Sequence, residues 1–311
     1  MKKALLYIIL FFPLFSFAQF RINEFNCPEM KLDGKVILCT PNEGLWGIAS
    51  GWSNDWPSDW KYANPDSIIN IGKWTIAYGS LSFPNGKMLL RDSYKVRPNG
   101  LIQCIRRFEW VGKETLNNIT LSVRIRMKGH KQKPFIPGIL YYGNPMGAKV
   151  NPNIIPVYKG ELGEFAIFED HRFSMPFAML EDSNAEYAAA VHVTPSPVRG
   201  AILQDQWWSF GIEASEEWSD FVLYSGPIGY NRQHSIAKAL QKAPMRYPNT
   251  YINMNSGQVI EKEFFIELYP IAIKGSGFQQ PIYTSLDLHK PYEVDRYPSF
   301  DDIIEGKYGQ A

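Results

Sequence analysis

The sequence lacks the motifs that carry several common enzyme chemistries. No glycine-rich phosphate loop, Gly-x-Ser-x-Gly elbow or Gly-x-Gly-x-x-Gly fingerprint follows a strand pattern, which argues against nucleotide and serine-hydrolase chemistry. The five histidines are scattered, and no cysteine–histidine cluster has the spacing of a structural zinc site. We therefore expect neither a metal ion nor another cofactor.

Cysteine and an excess of one charge are also scarce. The chain has 32 lysines and arginines against 31 aspartates and glutamates, mixed along its length, so nothing indicates a nucleic-acid partner or a basic tail for a membrane surface. The three cysteines allow at most one disulfide within a monomer, and Cys27 with Cys39 is the locally plausible pair. Cys104 lies in a strand pattern and is predicted to be a buried thiol.

Long apolar runs are absent except at the N-terminus. Two lysines in residues 1–3 precede an apolar stretch, 4–12, that is too short to span a bilayer comfortably. Ser16 and Ala18 are the small residues that a signal peptidase requires. We predict a signal peptide over residues 1–18, cleaved after Ala18, and hence a secreted or periplasmic protein with no membrane span after its removal. An uncleaved anchor helix is the alternative.

β-rich runs are abundant in the first half of the chain. Runs 74–83, 87–96 and 101–110 are separated by two turns that contain Pro-Asn-Gly, which is a strong hairpin signal. Residues 117–127 alternate apolar and polar side chains, which predicts a strand with one buried and one wet face. We predict four long antiparallel strands in one sheet.

The second half returns to strand patterns after a proline- and glycine-rich excursion over residues 128–160. Two short helices are predicted, over residues 235–243 and from residue 298 onward. The fold class is therefore predicted to be all-β, with antiparallel sheets in one domain over residues 19–296 and few short helices. The later strands are predicted at 163–182, 186–195, 201–214, 220–226 and 259–271.

Tryptophan stands out in the segment GWSNDWPSDWKY. Trp52, Trp56 and Trp60 would share one face of a helix, but the Asn-Asp and Ser-Asp pairs and a proline between them favour a polar loop. An indole ring stacks on the apolar face of a pyranose, while neighbouring acids and amides bind its hydroxyls. We predict that these three tryptophans and Asp59 bind a saccharide. The alternative is a loop that plugs one end of a β-sandwich.

A second candidate site lies in the run AILQDQWWSFGIEA. Trp207 and Trp208 are adjacent in a strand pattern, so one ring should enter the core while the other points outward or into a cleft. Asp205 is a charge in an apolar strand and needs a partner. We add these three residues to the candidate sugar contacts. The alternative for Asp205 is a salt bridge to an arginine on a facing sheet.

Carboxylates are the remaining candidates for catalysis. Glycoside cleavage needs two carboxyl groups on opposite sides of the bond. The acid-rich stretches 161–170 and 205–220 could each supply one, but most loop acids are simply solvated. No catalytic residue is assigned on these grounds.

Several strings in the second half resemble the N-terminal β-supersandwich of secreted bacterial glycosidase-like proteins, in which a six-hairpin helical toroid follows a sandwich similar to that of galactose mutarotases. The resemblance implies that residues 297–311 begin a linker helix toward a helical domain that this chain lacks, and that the catalytic carboxylates lie on that domain. A mutarotase would need a histidine with an acid, for which His171 beside Glu169 and Asp170, or His192, are candidates. The strings are LQDQWWSFGIEA (203–214), FVLYSGPIGYN (221–231), VIEKEFFIELYPI (259–271), GSGFQQPIYTSLDLHKPY (275–292) and PSFDDIIEGKY (298–308).

These observations predict an exported carbohydrate-active protein that binds an oligo- or polysaccharide through tryptophan stacking. It would correspond to the sandwich portion of a glycoside-hydrolase-like enzyme, with a helical domain or partner protein supplying hydrolysis. The alternatives are a stand-alone carbohydrate-binding module and a structural envelope protein whose aromatic side chains are all interior.

Overall fold

Two antiparallel β-sheets enclose one apolar core, so the protein is an all-β sandwich with few helices, as predicted. None of the helices among the described residues has the length and apolarity that a bilayer crossing requires. The computed structural model describes residues 18–53, 56–146, 157–198, 206–215, 217–228, 230–231, 234–235 and 251–290.

The first sheet contains twelve described strands. These are β1 (Gln19–Ile22), β2 (Pro28–Leu32), β3 (Lys35–Cys39), β4 (Trp46–Ser53), β5 (Trp56–Ala63), β10 (Leu116–Lys128), β13 (Phe165–Glu169), β18 (Ser209–Ala214), β19 (Trp218–Tyr224), β20 (Tyr230–Asn231), β21 (His234–Ser235) and β22 (Ile252–Met254). Their order is β1-β2-β3-β10-β19-β18-β13-β20-β21. Two further strands pair with β10, namely β22 and β4. Strand β4 also pairs with β5 to form the β4–β5 hairpin.

The second sheet contains nine described strands, in the order β12-β11-β14-β15-β23-β9-β8-β7-β6. Their bounds are β6 (Ser67–Ile71), β7 (Trp74–Phe83), β8 (Gly86–Val96), β9 (Ile102–Gly112), β11 (Lys133–Ile136), β12 (Leu140–Tyr141), β14 (Phe177–Glu181), β15 (Tyr187–Val193) and β23 (Val259–Pro270). A small separate pair joins β16 (Pro197–Val198) to β17 (Gln206–Trp207). Asp170–Arg172 forms a 3₁₀ turn, and α1 (Gln279–His289) follows β23.

The predicted meander is present in three of its four strands. β7, β8 and β9 pair in sequence order, but β10 belongs to the opposite sheet, so the prediction of four strands in one sheet is wrong. The physical reason is that β23 occupies the edge of β9 that β10 would need, with Ile260 opposite Phe108 in the ladder. A partner from far along the chain therefore redirects β10.

The polar face of β10 is not wet, contrary to prediction. Thr120 and Ser122 have almost no exposed surface, and the Arg126 guanidinium lies 4.0 Å from the centre of the Trp218 ring. The Ser122 hydroxyl donates to the Gly47 carbonyl across the β4–β10 pair. Both faces of β10 are covered because its outer face lies beneath side chains of neighbouring strands.

Two predicted strands are each divided in the structure. Residues 163–182 form β13 and β14, which lie in opposite sheets on either side of the 3₁₀ turn. Residues 206–214 form β17 and β18, with a break at Trp208. A continuous apolar run does not reveal where the chain crosses from one sheet to the other, since both halves bury side chains in the same core.

A buried ion pair between β8 and β9 of the second sheet is tied to the first sheet by hydrogen bonds. Asp92 and Arg106 are each 1% exposed, and the guanidinium donates to both carboxylate oxygens at 2.7 to 3.1 Å. Trp46 and Tyr94 also donate to Asp92, at 2.7 and 2.6 Å, and Arg106 donates to the Ser122 carbonyl at 3.0 Å. We call this group of residues the inter-sheet cluster.

The three cysteines are free thiols, so Cys27 and Cys39, the locally plausible pair, are not bridged. Cys39 lies opposite Glu29 in the β2–β3 ladder, which leaves Cys27 displaced along the strand from its supposed partner. Cys104 is 1% exposed and burial raises its pKa well above the usual value, as expected for an inert buried thiol.

The helix α1 was not expected from the sequence. Phe278 and Ile282 pack against the outer face of the second sheet, beside Phe135 and Tyr269. Ser235, the first residue of the helix predicted at 235–243, ends β21, and the rest of that helix, the helix predicted from residue 298 and the signal peptide up to residue 17 lie outside the described residues. The domain boundaries remain predictions.

Candidate functional site

The three clustered tryptophans lie on the β4–β5 hairpin and not in a polar loop. Trp52 belongs to β4, and Trp56 and Trp60 belong to β5. A spacing of four residues repeats one face of a strand as well as one face of a helix, and aromatic residues favour strands. Asp59 is exposed and takes a positive φ of 54°, which an aspartate tolerates within this distorted hairpin.

Five aromatic side chains form a continuous surface on the outer side of the first sheet, which we call the aromatic face. Trp56 lies 4.8 Å from Phe165 and 6.3 Å from Tyr224, measured between ring centres. Trp60 lies 5.8 Å from Tyr224 and stacks on Tyr62 at 6.2 Å. Both indoles are half-buried, so each rests on the sheet and keeps part of its surface open to solvent.

Trp52 lies at the margin of this surface. Its ring is half-buried, 6.1 Å from Tyr251, and its indole nitrogen is buried without a hydrogen-bond partner among the described atoms. Trp52 packs against the same apolar cluster as Trp56 and Trp60, but its ring contact is with Tyr251 and not with the five rings of the aromatic face.

A carboxyl group adjoins the aromatic face through the sheet register. Glu213 on β18 lies directly between Phe165 on β13 and Asp220 on β19. Tyr224, which both indoles contact, places its hydroxyl 3.2 Å from Glu213 Oε2 and donates to it. Burial raises the pKa of Glu213 to about 6, against the opposing attraction of Arg124 and with added repulsion from Asp220.

The charged groups beyond Glu213 are paired with one another. Asp220 accepts from Arg124 at 2.7 Å and from Arg126 at 2.9 and 3.0 Å. Glu43 approaches the same two guanidinium groups at 3.6 and 3.5 Å. Among the described residues Glu213 has no salt bridge. We call Glu43, Arg124, Arg126, Glu213 and Asp220 the charged row.

The second candidate group lies at the other end of β13. Trp208 is 0% exposed and packs in the core under Lys262, whose Nζ lies 5.6 Å from the ring, so it has no surface to offer a saccharide. Trp207 is half-buried and rests on His171 at 4.6 Å. As the sequence indicates, one ring of the pair, Trp208, enters the core and the other, Trp207, does not. Asp205 lies outside the described residues.

The acid–histidine combinations considered for a mutarotase are engaged elsewhere. His192 has no exposed surface and lies 2.8 Å from Glu267, which also accepts from side chains of α1. Asp170 accepts from Lys262 at 2.6 Å in a fully buried pair, and Glu169 pairs with Arg172. These contacts fix local structure.

Metal ligation has no evident location in the described part of the chain. No group of three or more histidine, cysteine, aspartate or glutamate side chains there is arranged to hold a metal ion.

Sequence reasoning counted Glu213 only among the acids of the stretch 205–220, and it did not consider Tyr224, Arg124 or Tyr62 as site residues. The alternation in β10 marked Arg124 as one of four polar residues on a common face, but only the ladder shows which residues it meets. Glu213 lies in an apolar run in the same way as Asp205, and that signal could have identified it.

Comparisons with known proteins return no match to a family model and no match to a curated protein. Among solved structures, a putative aldose 1-epimerase from Escherichia coli K12 aligns with 83% of this chain and 82% of its own, at 10% identity and a TM-score of 0.38.

Two larger proteins align over part of their length. An α-N-acetylgalactosaminidase from Bifidobacterium bifidum aligns with 89% of this chain and 38% of its own, at 8% identity and a TM-score of 0.37. A heparan sulfate lyase from Pedobacter heparinus aligns with 79% and 30%, at 8% identity and a TM-score of 0.35. This chain thus spans about a third of each of these two proteins. TM-scores this low support no argument about function.

Proposed function

We propose that this chain is an exported carbohydrate-active protein that binds an oligo- or polysaccharide on its aromatic face. The observation that carries the proposal is the contact of Trp56 and Trp60 with Tyr224, whose hydroxyl donates to Glu213. Sugar rings present an apolar C–H face beside hydroxyl groups, so a binding surface needs flat rings next to polar atoms. The aromatic face and Glu213 meet this requirement within one stretch of sheet.

The proposal extends to the role of the chain in a larger system. We propose that it is the sandwich portion of a glycoside-hydrolase-like enzyme and that residues 297–311 lead to a helical domain or partner that carries the catalytic carboxylates. The charged row favours binding over catalysis, because Asp220, the carboxylate beside Glu213, is already paired with two guanidinium groups. Glycoside cleavage needs two available carboxyl groups.

The proposed cleavage after Ala18 is compatible with the position of the first strand. β1 begins at Gln19, the residue that follows the proposed cleavage site, and pairs with β2 over its whole length.

Affinity electrophoresis on gels containing soluble polysaccharides tests the binding proposal. We expect at least one neutral polysaccharide to retard the wild-type protein, and Trp60→Ala and Trp56→Ala to abolish that retardation. Trp74→Ala is the matched control, because Trp74 is also half-buried but lies on the second sheet.

Thermal unfolding of the same variants separates binding from stability. Both kinds of substitution remove a packed indole, so some loss of melting temperature is expected for each. If Trp74→Ala lowers retention as much as Trp60→Ala does, or if no polysaccharide retards the wild-type protein, the aromatic face is a structural feature and the proposal is wrong.

A further inference from the structure

We propose that the aromatic face accepts uncharged saccharides and rejects those bearing carboxylate or sulfate groups, with Glu213 as the excluding group. This inference rests on the proposed sugar-binding function and defines its substrate class. It follows from how the charges around the face are paired.

The surroundings of Glu213 contain more carboxylates than cations. Glu43 and Asp220 together balance Arg124 and Arg126, which leaves Glu213 as the excess acid of the charged row. The neighbouring tyrosines add no charge, since burial raises their pKa values above the usual range. The titratable and charged groups around it come from β5, β10, β19 and the segments before β4 and β13, namely Tyr62, Arg124, Arg126, Asp220, Tyr224, Glu43 and Tyr158.

Both guanidinium groups are already paired with the Asp220 carboxylate. Arg126 donates through Nε and Nη2 to Asp220, and the Trp218 ring lies 4.0 Å from its guanidinium carbon. Arg124 donates through Nη2 to the same carboxylate, and its Nε has no accessible surface. Recognition of a sugar carboxylate or sulfate typically uses an open guanidinium fork. An incoming anion would have to displace Asp220 from two arginines.

Glu213 lies where a bound sugar would meet it. It is the cross-strand neighbour of Phe165, which packs on Trp56, and it accepts from Tyr224 beneath both indoles. Two like charges within a few ångströms of each other at a partly desolvated surface repel strongly. Hydroxyl groups can instead donate to the Glu213 carboxylate, so a neutral sugar gains a hydrogen bond where an anionic sugar meets repulsion.

The exclusion should weaken in acid. Burial raises the pKa of Glu213 to about 6, so its carboxyl is ionised at about pH 7.5 and mostly protonated at about pH 5. A uronic carboxylate or a sulfate stays ionised over this interval. The discrimination between neutral and anionic sugars is therefore expected to be larger at the higher pH.

The experiment compares polysaccharides that differ only in charge. Polygalacturonate and alginate are each paired with their carboxyl-reduced neutral forms, and galactan and xylan are included as natural neutral polymers. The readout is the ratio of association constants for the acidic and neutral member of each pair, measured at about pH 7.5 and about pH 5. We expect wild-type protein to prefer the neutral member by about tenfold or more at the higher pH.

Glu213→Gln tests the assigned residue. We expect it to raise the acidic-to-neutral ratio at about pH 7.5 by about tenfold and to remove the pH dependence of that ratio. Glu261→Gln is the control, because Glu261 is an exposed acid on the second sheet and its loss changes the net charge equally. The control should leave the ratio unchanged.

The possible outcomes separate the two proposals. Equal or stronger binding of the acidic member by wild-type protein overturns the charge selectivity while leaving sugar binding intact. An unchanged ratio in Glu213→Gln, or loss of all retention in that variant while it remains folded, overturns the role of Glu213 as the excluding group. Absence of binding to every polymer overturns the proposed function, and this inference with it.

Discussion

The inter-sheet cluster and the charged row both bury charged side chains, and they differ in how completely their charges are matched. The inter-sheet cluster pairs one acid with one base; Trp46 and Tyr94 also donate to Asp92, and Arg106 also donates to the Ser122 carbonyl. The charged row on the outer face has three acids for two bases, and Glu213 is bonded to a neutral hydroxyl. Breaking a matched buried pair leaves one charge unpaired and destabilises the fold, whereas an unmatched carboxyl beside half-buried rings is costly to keep and indicates a role in binding.

The largest expected effect comes from breaking the matched cluster. Asp92→Asn leaves the fully buried Arg106 charge without its counterion, so we expect the free energy of unfolding to fall by about 3–5 kcal/mol. Urea unfolding monitored by tryptophan fluorescence measures the change. A fall of less than about 1 kcal/mol would mean that water or another group compensates Arg106 and that the two clusters do not differ as described.

Replacing the acid by its amide in the charged row, Glu213→Gln, should raise the free energy of unfolding instead of lowering it. The folded state raises the pKa of Glu213 to about 6, above that of an unfolded glutamate, so folding favours the protonated carboxyl. The contribution of the protonated Glu213 carboxyl to stability is fully present below the pKa of an unfolded glutamate and is lost as the pH rises through about 6. Glu213→Gln should therefore be more stable than wild type at about pH 7.5, by up to about 2 kcal/mol, and should lose that advantage at about pH 4.

Urea unfolding across this pH interval provides the measurement, with Glu261→Gln as the exposed control. If Glu213→Gln is destabilised at every pH, the Glu213 carboxylate is a stabilising member of the row and the contrast with Asp92 disappears.

The smallest expected effect concerns the hydroxyl that links the aromatic face to Glu213. Tyr224→Phe removes the 3.2 Å hydrogen bond, which favours the ionised carboxyl, so the pKa of Glu213 should rise further. A carbon-detected NMR titration of the glutamate side chains would report a shift of up to about one unit. A downward shift would show that Tyr224 acts on Glu213 mainly through burial.

Local signals in the sequence located the strands better than they located their partners. The two Pro-Asn-Gly turns placed β7, β8 and β9 to within two residues of their observed bounds. The sheet that β10 joins depends on β23, about 130 residues further along the chain, and no local pattern contains that information.

Only part of the candidate site was predicted, because its remaining residues also depend on strand pairings that no local pattern shows. Trp56 and Trp60 were chosen for their composition and spacing, and they do lie together on one surface. The residues that complete the site, Glu213 and Tyr224, come from strands joined to β5 only through the folded sheet. Helix α1 was missed because it begins without a side-chain cap and is held by contacts such as that of Thr284 with Glu267.

The position of β23 has a consequence for how the chain acquires its shape. This strand joins β9 to β15, so until residues 259–270 have been made and delivered, the second sheet consists of two separate ribbons with open backbone edges. Ribbons with open edges recruit other chains, and pairings over such a long sequence separation form slowly. A polypeptide that ends before residue 259, through early termination or proteolysis, would therefore tend to aggregate instead of forming a folded, functional fragment.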